Sequence, residues 1–329
     1  MNREGSKLPM RILSGITPSG EPHIGNYFGA IRQYVELQSK GQAIYFIADY
    51  HSMNGVRSAT ERRRLVREVA LDFLACGLDP NETILYCQSD FPELCELTWL
   101  LTTVTPMGLL ERGHAYKDKL AQGQPADHGL FAYPVLMAAD ILMYRSDIVP
   151  VGQDQKQHIE MARDIAQRFN NIYEQEVFVL PEPYIVDDVA VVPGTDGRKM
   201  SKSYDNTIRP FWPKGKLKKA VMGVVTDSTP VEEPKNVSSP IFQLWSLFAT
   251  SDERDDMFLR ARSGGLGYGD IKKDLLERIL RYFAPMRERR EVLEKSPSEV
   301  DEVLEDGARR AKELGMPVLD RARQAAGVG

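Results

Sequence analysis

Arg11-Ile12-Leu13-Ser14-Gly15-Ile16, Thr17-Pro18-Ser19-Gly20-Glu21-Pro22 and His23-Ile24-Gly25-Asn26 follow one another near the N-terminus, and each has a different pattern. The first is a short apolar run of strand type, and the second is a turn by its Pro, Gly and Ser content. From His23 onward Ile24, Tyr27, Phe28, Ile31, Tyr34 and Val35 fall at helical spacing. The next run, Ala43-Ile44-Tyr45-Phe46-Ile47-Ala48, has the unbroken hydrophobicity of a strand covered on both faces. Strand, glycine-bearing turn, helix and buried strand form a βαβ unit, which predicts an α/β fold around a parallel sheet. A helix start behind such a turn offers free N–H groups and a partial positive charge, a natural seat for a phosphate. Gly15, Gly20 and Gly25 serve a tight turn equally well, but a turn alone gives no reason for the histidine and asparagine flanking Gly25.

Far downstream, Lys199-Met200-Ser201-Lys202-Ser203 sets two ammonium groups and two hydroxyls just after Gly194 and Gly197. Two lysines on a loop can neutralise a triphosphate whose charge grows as the bond to its α-phosphate breaks. Contacts that tighten in the transition state are the ones that accelerate chemistry. Taken alone, the run reads equally well as a solvated basic turn.

Together and in this order, the two segments resemble the signature motifs of class I aminoacyl-tRNA synthetases. His23-Ile24-Gly25-Asn26 is similar to their HIGH motif, with asparagine in place of the last histidine, and Lys199 to Ser203 is identical to their KMSKS loop. The middle of the chain narrows the match. Tyr133-Pro134-Val135-Leu136-Met137-Ala138-Ala139-Asp140-Ile141-Leu142, then Asp147-Ile148-Val149-Pro150-Val151-Gly152-Gln153-Asp154-Gln155-Lys156-Gln157-His158-Ile159-Glu160, resembles the bacterial tryptophanyl-tRNA synthetases. That likeness runs from about Arg11 to the C-terminus.

The resemblance implies that Asp140 accepts the indole N–H of tryptophan. The chemistry suits that role: a carboxylate in an apolar pocket loses its partner when a ring without N–H enters, at a cost of about 1–3 kcal/mol or more. A capping or surface aspartate is the alternative. Met137, Val149 and Val151 would be apolar walls, and Tyr133 and Gln155 further contacts to the amino acid. His51, after Asp49-Tyr50, borders the pocket or is a satisfied core histidine. From Gln155 the apolar residues Ile159, Ala162, Ile165, Ala166 and Phe169 keep helical spacing, so Gly152-Gln153-Asp154 falls on a strand-to-helix turn where α/β folds bind ligands. By resemblance these three residues contact the ATP ribose. Thr17, Pro18, Ser19, His23, Gly25 and Asn26 meet ATP, as do Lys199, Met200, Ser201, Lys202 and Ser203. Lys119 matches a family lysine that reaches the triphosphate, with Lys117 close by. Relatives commonly carry glutamine at Thr17, whose hydroxyl is shorter, so its ATP contact stays open.

The implied reaction needs no side-chain nucleophile. The tryptophan carboxylate attacks the α-phosphate of Mg-bound ATP, giving tryptophanyl-adenylate and pyrophosphate. The 2′-hydroxyl of the terminal tRNA adenosine then attacks the activated carbonyl. Positioning and charge stabilisation by Lys199, Lys202, Ser201, Ser203 and Lys119 carry the catalysis. With no Asp/Glu cluster of cage form, Mg²⁺ is expected on ATP oxygens and water. The partners implied are tRNA(Trp), L-tryptophan, ATP and a second copy of the chain, with no membrane.

Composition agrees but decides less. The 329 residues suffice for two domains, and 42% hydrophobic with 27% charged residues is globular. The net charge of −5 announces no nucleic acid, yet Arg198, Lys199, Lys202, Arg209, Lys214, Lys216, Lys218 and Lys219 face one acid, Asp205. Such a run binds tRNA locally or is a solvated face. Cys76, Cys87 and Cys95 lack metal or disulfide spacing, which fits a reducing cytoplasm. Residues 1–9 carry no leader core, and no run reaches membrane-spanning length.

A Rossmann-like catalytic domain is expected over 1–206, with a helical insertion at about 93–147 that the resemblance makes the dimer interface. Thr83-Ile84-Leu85-Tyr86-Cys87-Gln88 and Val189-Ala190-Val191-Val192 are further strand candidates. Residues 207–329 read as a helical anticodon-binding region whose last helix returns to the catalytic domain. Ser296-Pro297-Ser298-Glu299 has capping-box form, and Thr250 with Glu253 marks another helix start. Rival readings are a tyrosyl-tRNA synthetase, a nucleotidyltransferase acting without tRNA, and a synthetase paralogue kept as an RNA- or protein-binding module.

Overall fold

Five parallel strands make the central sheet: β1 (Arg11–Ile16), β2 (Gln42–Ile47), β3 (Thr83–Cys87), β4 (Ile148–Val151) and β5 (Glu182–Ile185), in the order β3-β2-β1-β4-β5. The computed structural model describes residues 10–121, 123, 127–151, 156–185 and 191–329. Successive strands run outward from β1 to β3, then the chain crosses to the other side of β1 to lay down β4. That reversal opens a crevice at the carboxyl ends of β1 and β4, the ligand-binding position of open α/β sheets.

The period of two along each strand divides the apolar residues between two cores. Leu13, Ile44, Phe46, Ile84, Tyr86 and Val149 face the helices Glu93–Thr102, His128–Leu142 and Lys156–Ile172. Ala43, Tyr45, Ile47 and Leu85 face the helices at 24–37 and Ala59–Ala75, and this core continues into the C-terminal helices. The helix expected after His23 is present, but its middle, Tyr27–Ile31, is a π turn between α segments.

The last helix, Pro297–Ala326, lies directly on β3. Gly307 makes this possible, since a Cβ there would sit 1.8 Å from the Leu85 carbonyl oxygen. Arg310 donates to the Pro80 and Thr83 carbonyls at 2.7 and 3.0 Å, and Arg323 pairs with Glu96 at 2.6 Å. Helix Tyr268–Lys295 is tied to the sheet domain by Arg290, which holds the buried Asp72 at 2.8 Å.

Two local expectations change. Val189 and Ala190 lie outside the described residues, while Val191 and Val192 belong to no strand. Only a single antiparallel bridge, Pro193 with Lys199, remains there. Pro193 lacks an N–H, Val191 is 61% exposed, and Gly194 folds straight back onto the Arg198 carbonyl at 2.7 Å, so no ladder can extend. Ser296 caps no N–H with its side chain. It closes one helix through its N–H to Leu293 and opens the next through its carbonyl to Glu299, which fixes it away from capping geometry. The reciprocal box occurs instead at Thr250 and Glu253. Among the described residues no helix is long and apolar enough to cross a membrane.

Candidate functional site

A cavity of about 400 Å³ opens at the crevice between β1 and β4. Leu13, Phe46, Met137, Ile141 and Val149 supply apolar walls, and His51, Tyr133, Asp140, Gln33 and Asn54 supply polar points. Asp140 arrives on helix His128–Leu142 and is completely buried. Its carboxylate is held on both oxygens: His51 Nε2 lies 2.8 Å from Oδ2, and Gln88 Nε2 donates to Oδ1 at 2.7 Å. Gln88 is itself fixed by the Tyr50 N–H, which donates to its Oε1 at 3.1 Å. Burial pushes the Asp140 carboxyl above its ordinary pKa, and the bonds from His51 and Gln88 work against that shift. A carboxylate offers about four acceptor positions, so its two protein partners leave acceptor capacity for a donor from the cavity. Tyr133 stands edge-on to His51 and shares a 2.7 Å hydrogen bond with His158; burial raises its phenol pKa, so it stays protonated.

The wall continues from Ser14, Gly15 and Thr17 into the turn, and the turn meets the lysine loop. Lys202 Nζ donates to the Gly20 carbonyl at 2.6 Å. Arg209 pairs with Glu21, which also holds Arg64 at 2.8 Å, while the Ile24 N–H donates to Ile208 at 2.9 Å. The N-terminal motif and Lys199–Ser203 therefore form one surface. Burial, reinforced by Arg209, lowers Lys202 to about 8. Burial again, then Lys202 and Arg209, lowers His23 to about 4, so its imidazole is neutral at physiological pH.

The structure explains why histidine and asparagine flank Gly25. His23 Nδ1 accepts from the Asn26 N–H at 3.3 Å, and Asn26 Oδ1 accepts from the His23 N–H at 3.1 Å, a reciprocal cap. A Cβ on Gly25 would strike His23 Nδ1 at 2.9 Å, so glycine is required for the ring to reach back. The expectation of a freely open helix start is corrected here. Ile24 and Asn26 have spent their N–H groups, which leaves that of Gly25 as the uncommitted first-turn donor among the described residues.

Asp140, His51, Tyr133, Met137, Val149 and Thr17 gather at the cavity. His23, Gly25, Asn26 and Met200 gather at the junction beside it, with Pro18 and Met200 buried and Ser19, Lys199 and Ser203 exposed. Ser201 and Ser203 hydroxyls pair with each other at 2.8 Å. Gly152, Gln153, Asp154 and Gln155 lie outside the described residues. Val151 ends β4, and Lys119 sits on helix His114–Ala121. Sequence reasoning missed Gln88 and Asn206. The buried Asn206 fastens the lysine loop, accepting from the Ser201 N–H at 2.8 Å and donating to the Lys199 carbonyl at 3.1 Å. Gln88 could have been noticed as the first polar residue past a fully apolar strand end, but Asn206 gave no signal.

A family model described as tRNA synthetases class I (W and Y) matches residues 6–284. A tryptophan–tRNA ligase of Fusobacterium nucleatum is 53% identical, the match covering 97% of this chain and 98% of that one. One of Rhodopirellula baltica is 54% identical, covering 97% and 100%. The solved tryptophanyl-tRNA synthetase of Campylobacter jejuni complexed with ADP and tryptophan superposes with a TM-score of 0.91 at 46% identity, covering 97% and 100% of the two chains.

Proposed function

The chain belongs to the bacterial tryptophanyl-tRNA synthetases of class I, and from that premise we propose how its own residues carry the reaction. It is an ATP-dependent ligase that activates tryptophan as the adenylate and transfers it to tRNA. The observation that carries the assignment of the site is Asp140, buried at the cavity wall with both oxygens oriented by fixed donors. It takes the indole N–H, while Met137 and Val149 cover the ring faces and Tyr133 bounds the amino-acid end. A phenol hydroxyl is also a donor to Asp140, so the preference for tryptophan over tyrosine rests on the fit of the larger bicyclic ring between the apolar walls.

ATP lies along the junction of the two motifs. Lys202 leaves the Gly20 carbonyl for the β- and γ-phosphates, joined by the exposed Lys199. Ser201 and Ser203 add hydrogen bonds, and the Gly25 N–H points its dipole at phosphate. Gly152 to Asp154, Gln155 and Lys119 keep the roles that resemblance gives them. Magnesium enters as part of the ATP substrate. Such an ion is bound by phosphate oxygens and water. The catalytic domain spans 1–206 and the tRNA-binding helical region 207–329. A second copy docks on the helical insertion at about 93–147, where Trp99 and Met107 are 67% and 64% exposed. Three free cysteines accord with a cytoplasmic enzyme.

Amino-acid-dependent ATP–pyrophosphate exchange tests the assignment. Exchange with tryptophan and little with tyrosine is expected; the opposite preference would refute it. A pH prediction follows from Lys202. Its active form is the ammonium, which in the free enzyme is lost as pH rises through about 8. The kcat/KM for ATP in exchange should therefore fall above that pH. In Lys202→Arg, whose guanidinium does not deprotonate, residual activity should lose this alkaline decline. An unaltered alkaline limb would assign the decline to another group.

A further inference from the structure

The helix Lys214–Met222 carries Lys214, Lys216, Lys218 and Lys219, all exposed. Among the described residues none of these ammonium groups has a carboxylate within 4.0 Å. Lys216 alone has a partner, the Trp212 ring at 4.1 Å. Several other basic residues of the surface are neutralised. In the run Arg62–Arg67, Arg64 pairs with Glu61 and Glu21, and Arg67 pairs with Asp301. Arg309 pairs with Asp306 and Glu313, and Arg198 with Asp196.

Lys214 and Lys216 also work against their own helix, whereas Lys219 lies in its last turn, where a cation is favourable. Lys214 and Lys216 occupy a first turn that holds no acid, and Pro213 makes no side-chain cap. Cations there oppose the macrodipole, and Lys214 repels Lys218 one turn on. Packing supplies no compensation, because the buried face of the helix is Leu217 and Val221. The surface is held in place next to the lysine loop. Val225, just past the helix, donates to the Thr195 carbonyl at 2.8 Å, and Lys272 donates to Met222 at 3.1 Å. Before it, Arg209 is paired with Glu21.

We propose that this helix is a docking surface for the sugar-phosphate backbone of the tRNA, beside the site where its acceptor end must arrive. The inference rests on the aminoacylation reading. A chain of net charge −5 repels a polyanion over most of its surface, so attraction must be concentrated locally. Lysine ammonium groups act as point charges suited to phosphate and carry no base preference. The contact therefore contributes affinity and salt dependence, not choice of tRNA.

The test uses the full-length enzyme with Lys214, Lys216, Lys218 and Lys219 all changed to Gln, and in parallel all changed to Arg. In the Gln variant, tryptophan-dependent pyrophosphate exchange should stay within about twofold of the unmodified enzyme, because no tRNA takes part in it. Its melting temperature should change little, since the relief at Lys214 and Lys216 offsets the loss of the favourable Lys219 charge in the last turn. The KM for tRNA in aminoacylation should rise about tenfold or more near physiological salt. The slope of log affinity against log salt should become shallower by about 2–4. The Arg variant should keep both values near those of the unmodified enzyme. An unchanged tRNA KM and salt slope in the Gln variant, with exchange intact, would overturn the docking surface and make these lysines a solvated face. A loss in the Arg variant equal to that in the Gln variant would overturn the charge argument. Absence of tryptophan-dependent exchange in the unmodified enzyme would instead overturn the underlying reading.

Discussion

Lys202→Ala should slow single-turnover formation of tryptophanyl-adenylate by about 10²–10³-fold, the usual loss when one preorganised electrostatic donor is removed. Tryptophan affinity should move little, because Lys202 does not line the amino-acid cavity. The ground-state contact of Lys202 is to a neutral carbonyl, Gly20, in a turn already braced by Glu21 with Arg64 and Arg209. Stability should therefore change by less than about 1 kcal/mol, the net worth of an ordinary hydrogen bond. Rapid-quench measurement of adenylate, with a melting curve as control, separates the two effects. An unchanged single-turnover rate would remove Lys202 from the chemistry.

Asp140→Ala should act on the other substrate. Loss of a hydrogen bond to a charged acceptor, about 1.5–3 kcal/mol, corresponds to a rise of about 10–150-fold in the tryptophan requirement. The ATP requirement should shift by less than about threefold on the same scale. This substitution also has a structural cost, because it strips the acceptor from the buried Gln88 amide and from His51. Each unsatisfied donor costs about 1–3 kcal/mol, so a lower melting temperature is expected alongside. Asp140→Asn, which keeps one oxygen for one of these donors, should recover part of the stability without recovering full tryptophan affinity. Equal losses for tryptophan and ATP in both variants would indicate a collapsed fold.

The βαβ start and its buried second strand were legible because hydrophobic period and turn composition are local properties. Leu13 and Ile44 each fell in a run read as a strand, and the structure pairs them in register. The Asp140 region was legible through its family resemblance, with the apolar Met137-Ala138-Ala139 before it weighing against a surface aspartate. What stayed hidden was reciprocity between distant residues. Gln88 becomes meaningful only when β3 ends beside helix His128–Leu142, and Asn206 only when the chain folds back over Lys199 and Ser201. The pairing of His23 with Asn26 is local, yet it was invisible as a cap because histidine is not among the usual capping residues. Ser296 failed as a capping box for the complementary reason. Its motif was correct, but the preceding helix had already claimed its backbone.

Single-turnover adenylate formation with tryptophan and with 3-(1-benzothiophen-3-yl)alanine, which keeps the bicyclic shape but replaces the ring N–H by sulfur, addresses Asp140 most directly. The unmodified enzyme should prefer tryptophan by about 10–150-fold in kcat/KM, and Asp140→Ala should reduce that preference to within about threefold. Equal use of both amino acids by the unmodified enzyme, or a preference that survives in Asp140→Ala, would contradict the assignment of this buried carboxylate as the group that reads the ring.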